Sequence, residues 1–259
     1  MEKFESLLAP GQIGGLKIAN RVFMPPMGTG LSNYQGEVTP EILAYYGLRA
    51  KNRPGVVVVE ISCVDAPRGK ASLQQLRIDH PRYISGMSRL SETIKASGSR
   101  AFIQLHHAGR QTSLLVTEGE EPLAPSAIPC RLMQTMPKAA AIEDIHGVQG
   151  KFVMAAAMAQ AAGFDGVELH AAHGYLLSQF ISPYSNNRDD EYGGSTEGRS
   201  RIVMEIIQQI KKICPGLVVG VRVSVTDFIA GGLEPDEGVE IAALLESAGA
   251  DYISVSNGQ

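Results

Sequence analysis

Phe164-Asp165-Gly166-Val167-Glu168-Leu169 runs directly into His170-Ala171-Ala172-His173-Gly174-Tyr175, and this stretch decides how the chain folds. Its first half is an apolar run, which is typical of a buried β-strand. Two histidines three residues apart, and a tyrosine two residues later, then leave the end of that strand together. We interpret the stretch as a strand whose carboxyl end carries a compact group of hydrogen-bond donors and a potential acid.

Buried strands of the same kind recur along the chain and alternate with helical patterns. Residues 56–62 form a continuous, mostly β-branched run without polar alternation, which indicates a strand covered on both faces, as in a parallel sheet. The predicted strands are 22–24, 56–62, 101–106, 166–170, 217–223 and 252–255, and the predicted helices are 39–51, 81–96, 145–162, 196–213 and 235–248. Strict alternation predicts an α/β fold with right-handed crossovers, either an open doubly wound sheet or a TIM (β/α)8-type barrel.

The residues that follow the strands favour the barrel. Pro25-Pro26 stands after the first strand, where a dinucleotide-binding glycine fingerprint would be expected. Gln104, His170 and Arg222 lie at or near the ends of three different strands, and barrel sites collect at those ends. We therefore expect residues 1–259 to form one barrel domain with six βα units, incomplete at its C-terminal end by two units.

Composition narrows the partners. The formal net charge is −4 without any Lys/Arg cluster, so we expect no nucleic acid partner. No apolar run approaches the ~18 residues of a membrane span, and the start lacks a signal-peptide pattern. Cys63, Cys130 and Cys214 have no metal-ligand spacing, which favours reduced thiols in a cytoplasmic protein. The composition does not decide whether the chain forms a homo-oligomer.

Residues 108–141 are a long, proline-rich connection, and we expect this connection to act as a lid or binding wall.

Two polar residues lie inside otherwise apolar strands. Arg222 requires a partner if it is buried, either a carboxylate such as Glu168 or a bound group that is or becomes anionic. Gln104 is either a satisfied core amide or a ligand for the N–H/C=O edge of a heterocycle, because its amide presents a donor beside an acceptor.

The histidine pair has three interpretations. His170 and His173 are metal ligands, with His106 or His107 as the third ligand, in a metal-dependent hydrolase. Alternatively both rings donate to a substrate oxygen and Tyr175 supplies a proton. The third interpretation is an ordinary pair of histidines at a strand end.

The order of motifs resembles the old yellow enzyme family of FMN-dependent ene-reductases, in particular the bacterial branch near 2,4-dienoyl-CoA and enoate reductases. The resemblance covers essentially the whole chain, and its most specific part runs from His170 to Ser195. The matching segments are 20–22 with 26–27, 104–110, 124–126, 162–168 and 170–195.

The resemblance implies a barrel that holds FMN at its mouth and takes electrons from NADH or NADPH. Pro26, Met27, the position of Gly28 and the backbone near Cys63 would lie against the flavin, Gln104 would contact its pyrimidine edge, and Arg222 would lie near N1/O2. His170 and His173 would bind the carbonyl of a small activated alkene, and Tyr175 would be the proton donor.

Two departures accompany the resemblance. Gly28 has no side chain to contact the flavin, where relatives often have one, and Thr29 is the available substitute. The FMN phosphate site is expected beyond Gln259, because such barrels place it after their seventh and eighth strands. An inactive barrel fragment that needs a partner or a further C-terminal part therefore stays an alternative.

Overall fold

A computed structural model describes residues 4–258; Met1–Lys3 and Gln259, the two ends of the predicted domain, lie outside the described residues. The strands are β1 (Gly11–Ile13), β2 (Leu16–Ile18), β3 (Phe23–Met24), β4 (Val56–Cys63), β5 (Leu76–Arg77), β6 (Arg100–His106), β7 (Leu123–Ala124), β8 (Lys138–Ala139), β9 (Gly166–Ala171), β10 (Val218–Ser224) and β11 (Tyr252–Ser256). The helices are α1 (Glu5–Leu8), α2 (Pro40–Ala50), α3 (Ile84–Lys95), α4 (Ile142–Ala161), α5 (Leu176–Ile181), α6 (Thr196–Ile213) and α7 (Pro235–Ser247).

One curled parallel sheet organises the chain. Its strand order is β11-β10-β9-β6-β4-β3, and β5 pairs with the end of β4. Helices follow the strands in the predicted alternation, so the fold is a partial α/β barrel of TIM type, as predicted. All six predicted strands and all five predicted helices are confirmed. Within residues 4–258, no helix has both the length and the apolar character needed to span a membrane.

The helix starts follow their local sequence. Thr39 caps α2, since its hydroxyl oxygen accepts the Ile42 N–H at 3.3 Å, and Pro40 occupies the first helical position. Ser195 caps α6 in the same way by accepting the Gly198 N–H at 3.1 Å.

The loops hold the unpredicted elements. The stretch after Tyr175 contains α5, and other loops contain β5, β7 and β8, none of which is among the predicted strands and helices. The three strands have two residues each and α5 has six. Such short segments do not complete a hydrophobic period, so the sequence pattern gives no signal for them.

The inner face of the sheet is built in layers two residues apart, because successive side chains of a strand point to opposite faces. The lower end of this face is an apolar cluster in which Val56, Val58, Phe102 and Val218 of the sheet pack against Ile13 and Ile18 of the β1–β2 hairpin. Above it, Gln104 of β6 lies beside Glu168 of β9. One step further, His170 lies beside Arg222 of β10. Along the inner face, the side chains therefore change from apolar at the lower end of the strands to polar at their carboxyl ends, which form the mouth of the barrel.

Gly220 gives the middle layer its shape. It lies between Glu168 and Tyr252 in register, and a methyl group at this position would overlap the Tyr252 ring. The absent side chain lets the Tyr252 ring cross β10, so that its hydroxyl donates to the Glu168 Oε2 at 3.0 Å. A glycine is thus required here by close packing.

We expect Gly220→Ala to lower the free energy of unfolding by about 2–3 kcal/mol, because the added methyl displaces the Tyr252 ring and breaks a buried hydrogen bond. The matched control is Gly150→Ala on the exposed side of α4, where a methyl meets open space and should stabilise by about 0.5–1 kcal/mol. Urea unfolding measures both. Equal stabilities of the two variants would contradict this account of Gly220.

Candidate active site

Four rings meet at the carboxyl ends of β6 and β9 and form what we call the ring cluster: His106, His170, His173 and Tyr175. Ring centroids lie 4.4 Å apart for His106 and Tyr175, 5.0 Å for His170 and Tyr175, and 5.1 Å for the histidine pair 170 and 173. His173 and Gly174 both have left-handed backbone, with φ of 60° and 73°. For a histidine this conformation is strained, and such strain is commonly found at functional sites.

Hydrogen bonds fix the orientation of the histidine pair. The Ala172 N–H donates to Nδ1 of His170 at 3.3 Å, which leaves the His170 proton on Nε2. That Nε2 lies 3.4 Å from Nδ1 of His173. On its other side, Nε2 of His173 lies 2.7 Å from the Ser256 hydroxyl oxygen. A chain of hydrogen-bonding groups therefore runs from β9 to the end of β11.

The three imidazoles are held neutral. Burial and the neighbouring His107 lower the pKa of His106 to about 3. Burial is the main cause that lowers the pKa of His170, and His106, His173 and Arg222 lower it further. For His173, burial is again the main cause of the lowered pKa and Arg222 is the second. At neutral pH these rings donate and accept hydrogen bonds without carrying charge.

Tyr175 keeps its proton. Burial raises the pKa of the Tyr175 phenol, and the nearby Gln111 side chain opposes this effect only in part. The hydroxyl is therefore protonated at neutral pH and available as an acid.

Gln104 and Arg222 both lie on the inner face of the sheet, in successive layers, but Arg222 does not form the ion pair with Glu168 that the sequence left open. Glu168 accepts hydrogen bonds from Nε2 of Gln104 at 2.8 Å and from Tyr252, and it forms no ion pair with Arg222 among the described residues. Arg222 is half-buried, its Nε has no hydrogen-bond partner within residues 4–258, and its Nη2 is 3.5 Å from the Ser256 hydroxyl. A buried cationic donor without an acceptor is costly, which indicates a ligand at this position.

Glu168 also orients Gln104. Burial raises the pKa of Glu168, while Tyr252, Arg222 and Gln104 lower it. A carboxylate that accepts from both neighbours holds the Gln104 nitrogen towards itself, so the amide oxygen stays available as an acceptor. Gln104 and Arg222 therefore fit the N–H and C=O edge of an isoalloxazine, one as acceptor and the other as donor.

The remaining predicted flavin contacts lie at the same end of the sheet, since β3 and β4 are parallel. In the loop after β3, Pro26 is half-buried, Met27 is 60% exposed and a side chain at Gly28 would meet open space. The Thr29 N–H ties this loop to β4 by donating to the Glu60 carboxylate at 2.9 Å. Cys63 ends β4 and is fully buried, and burial raises the pKa of its thiol.

The arrangement gives no support for a metal site. Within residues 4–258, no group of three or more His, Cys, Asp or Glu side chains is placed to hold a metal ion. The Nδ1 of His106, the nearest candidate for a third ligand, faces the Gln75 amide nitrogen at 3.0 Å.

Four residues of the site were missed or misassigned from the sequence. His106 was considered only as a metal ligand and Glu168 only as an ion-pair partner of Arg222. Tyr252 and Ser256 were not considered as site residues. Counting in steps of two from Gln104 and His170 would have placed His106 and Glu168 on the inner face. No local pattern signals Ser256, which contacts His173 across 83 residues of sequence.

Comparisons with known proteins agree with this geometry. The model of the NADH:flavin oxidoreductase / NADH oxidase family matches residues 6–259. The chain is 44% identical over 259 residues to the NADH oxidase of Thermoanaerobacter brockii, covering all of this chain and 40% of that protein. It is 40% identical over 253 residues to the NADPH dehydrogenase of Bacillus subtilis (strain 168), covering 97% of this chain and 73% of the relative. The fold superposes on an old yellow enzyme homologue from Zymomonas mobilis with a TM-score of 0.88 and 26% identity, over 98% of this chain and 74% of that one.

We expect the free energy of unfolding to fall as the pH drops from about 6.5 towards 3, because the unfolded chain protonates its histidines near 6.5 while the fold keeps the pKa of His106 at about 3. His106→Gln should lessen this slope by about 1 kcal/mol per pH unit. Denaturant unfolding between pH 7 and 4 provides the measurement, with the exposed His80→Gln as control. An unchanged slope in His106→Gln would show that His106 does not resist protonation.

Proposed function

Because this chain belongs to the NADH:flavin oxidoreductase / NADH oxidase family, we propose that it binds FMN and reduces the C=C bond of a small activated alkene, with NADH or NADPH as reductant. The observation that carries the proposal is the unpartnered Nε of Arg222 at the mouth of the barrel, beside the ring cluster. A flavin edge supplies the acceptor that this cation lacks.

FMN, when bound, supplies the hydride for the β-carbon of the alkene. Arg222 would donate to the N1/O2 region, and the Gln104 oxygen would accept from the ring N–H. The loop with Pro26, Met27 and Gly28, together with the backbone at Cys63, would lie against the ring system.

The histidine pair binds the substrate carbonyl. The Ser256 hydroxyl accepts from Nη2 of Arg222 at 3.5 Å and can donate its own O–H to Nε2 of His173 at 2.7 Å. In that tautomer the His173 proton is on Nδ1, across 3.4 Å from the Nε2–H of His170. Two N–H donors at this spacing converge on one carbonyl oxygen and polarise the double bond conjugated with it.

Tyr175 completes the reduction as general acid. Its ring lies against both His106 and His170, so its hydroxyl is held beside the bound alkene. The proton leaves Oη of Tyr175 and goes to the α-carbon, which becomes electron-rich when the β-carbon is reduced.

The first test is flavin binding. The protein mixed with excess FMN should retain it after gel filtration, lose its yellow absorbance with NADH or NADPH under anaerobic conditions, and regain it with 2-cyclohexenone. Arg222→Gln should lower the reduction potential of bound FMN by roughly 30–60 mV, the equivalent of one charge-assisted hydrogen bond. Arg89→Gln, on the exposed side of α3, is the matched control. A full-length protein, with any residues that follow Gln259, that binds no FMN under these conditions disproves the proposal.

The second test separates the two half-reactions by stopped-flow absorbance. Tyr175→Phe should slow reoxidation by the alkene about 100-fold, because the general acid is lost. Reduction by NADH or NADPH should change less than about threefold, since that step needs no proton from Tyr175. Tyr34→Phe, at an exposed tyrosine, controls for the loss of a hydroxyl. If Tyr175→Phe slows neither step, the role given to Tyr175 is wrong.

A further inference from the structure

A second cationic feature adjoins the ring cluster. Arg110 and Arg131 line a small cavity of about 80 Å³ together with Gln111, Cys130 and Tyr184. We call it the arginine pocket. It lies outside the layers of the barrel interior, in the wall formed by the long connection after β6.

The arginine pocket opens beside the proposed proton donor. Its lining includes Gly174, the residue before Tyr175. Two further lining residues, Gln111 and Cys130, are near enough to Tyr175 to influence the pKa of its phenol. A substrate held at the ring cluster can therefore extend into the pocket.

Both guanidinium groups lie on one aromatic ring. The Tyr184 ring centroid is 5.6 Å from the Arg110 guanidinium carbon and 5.1 Å from that of Arg131. Nε of Arg131 donates to the Tyr184 hydroxyl at 3.0 Å, and Nη1 of Arg110 donates to the Ile128 carbonyl at 3.0 Å. These contacts hold two like charges in a fixed position at the pocket wall.

The two guanidinium groups of the pocket differ in their carboxylate neighbours. Arg110 is buried, and Asp227 is the carboxylate whose charge acts on it. Asp227 is itself held by the Ser182 hydroxyl at 2.5 Å and the Leu233 N–H at 2.8 Å. Within residues 4–258, no carboxylate lies within 4.0 Å of Arg131 nitrogen atoms. The Arg131 guanidinium therefore has no carboxylate beside it among the described residues, and its positive charge attracts an anion into this partly enclosed space.

We propose that the arginine pocket binds a carboxylate carried by the alkene substrate, on the far side of the double bond from the carbonyl that the histidines hold. The inference rests on the proposed function and names its substrate class: unsaturated acids with a second carbonyl group. Arginine binds carboxylates through paired N–H donors. The cavity is small, about 80 Å³, and its two guanidinium groups supply the donors that a carboxylate group accepts from.

The test compares monomethyl fumarate, which is anionic, with the neutral methyl ester of fumaramic acid, which has the same shape. Arg131→Gln should lower the ratio of kcat/KM for the acid to that for the amide about tenfold, mainly through the KM of the acid. Arg89→Gln should leave the ratio at its wild-type value. Arg131 is exposed, so circular dichroism should show an unchanged fold.

Calorimetry with monomethyl succinate, which has no double bond to reduce, tests binding without turnover. Its Kd should rise about tenfold in Arg131→Gln. An unchanged acid-to-amide ratio together with an unchanged Kd would overturn the proposal. The same holds if the variant instead slows reduction by NADPH relative to NADH, because the pocket would then serve a phosphate. If the wild-type protein reduces 2-cyclohexenone but neither fumarate derivative, the pocket proposal fails and the proposed function stands. If it reduces none of the three alkenes, the proposed function fails, and the calorimetric comparison still decides whether the pocket binds carboxylates.

Discussion

One buried carboxylate, Glu168, determines the arrangement of the barrel interior. A charged group inside a protein has to be satisfied by hydrogen bonds, and here Gln104 and Tyr252 donate to its two oxygens from the strands on either side of the β9–β10 pair. This requirement fixes the Gln104 amide and demands a glycine at position 220 so that Tyr252 can reach across. It also leaves Arg222 without a direct ion-pair partner among residues 4–258. The positive charge that results faces the mouth of the barrel, where an anionic or electron-rich ligand can use it. The hydrogen bonds that satisfy Glu168 thus determine that Arg222 is available to bind a ligand.

The sequence predicts most of the fold because parallel strands covered on both faces leave a strong signal. The β-branched run in β4 and the caps at Thr39 and Ser195 are local features, and local features were enough to find the main strands and helices. The short helix α5 escaped because its six residues are all buried and show no alternation between an apolar and a polar face.

The residues of the site also divide into those that local sequence features reveal and those that they do not. Gln104, His170 and Arg222 were found because polar residues interrupt apolar strands, and the resemblance to old yellow enzymes assigned them roles. The partners that orient them were not found, since the bonds from Glu168 to Tyr252 and from His173 to Ser256 join strands more than 80 residues apart. Nor does the sequence show that Arg110 and Arg131 meet on Tyr184, because the connection that carries them has no period from which its path can be calculated.

The two-residue alternation within each strand has a consequence for how such a protein can change. Leu105, Leu169 and Val221 point outward into the helical layer and belong to the main apolar core, while their immediate neighbours point into the mouth. A substitution at an outward position therefore lowers stability through lost packing. A substitution at the neighbouring inward position instead changes the chemistry of the barrel mouth. Adaptation to a new substrate and maintenance of the fold can proceed through separate sets of positions on the same strands. Gly220 is the exception, because the barrel interior and the sheet both depend on its missing side chain.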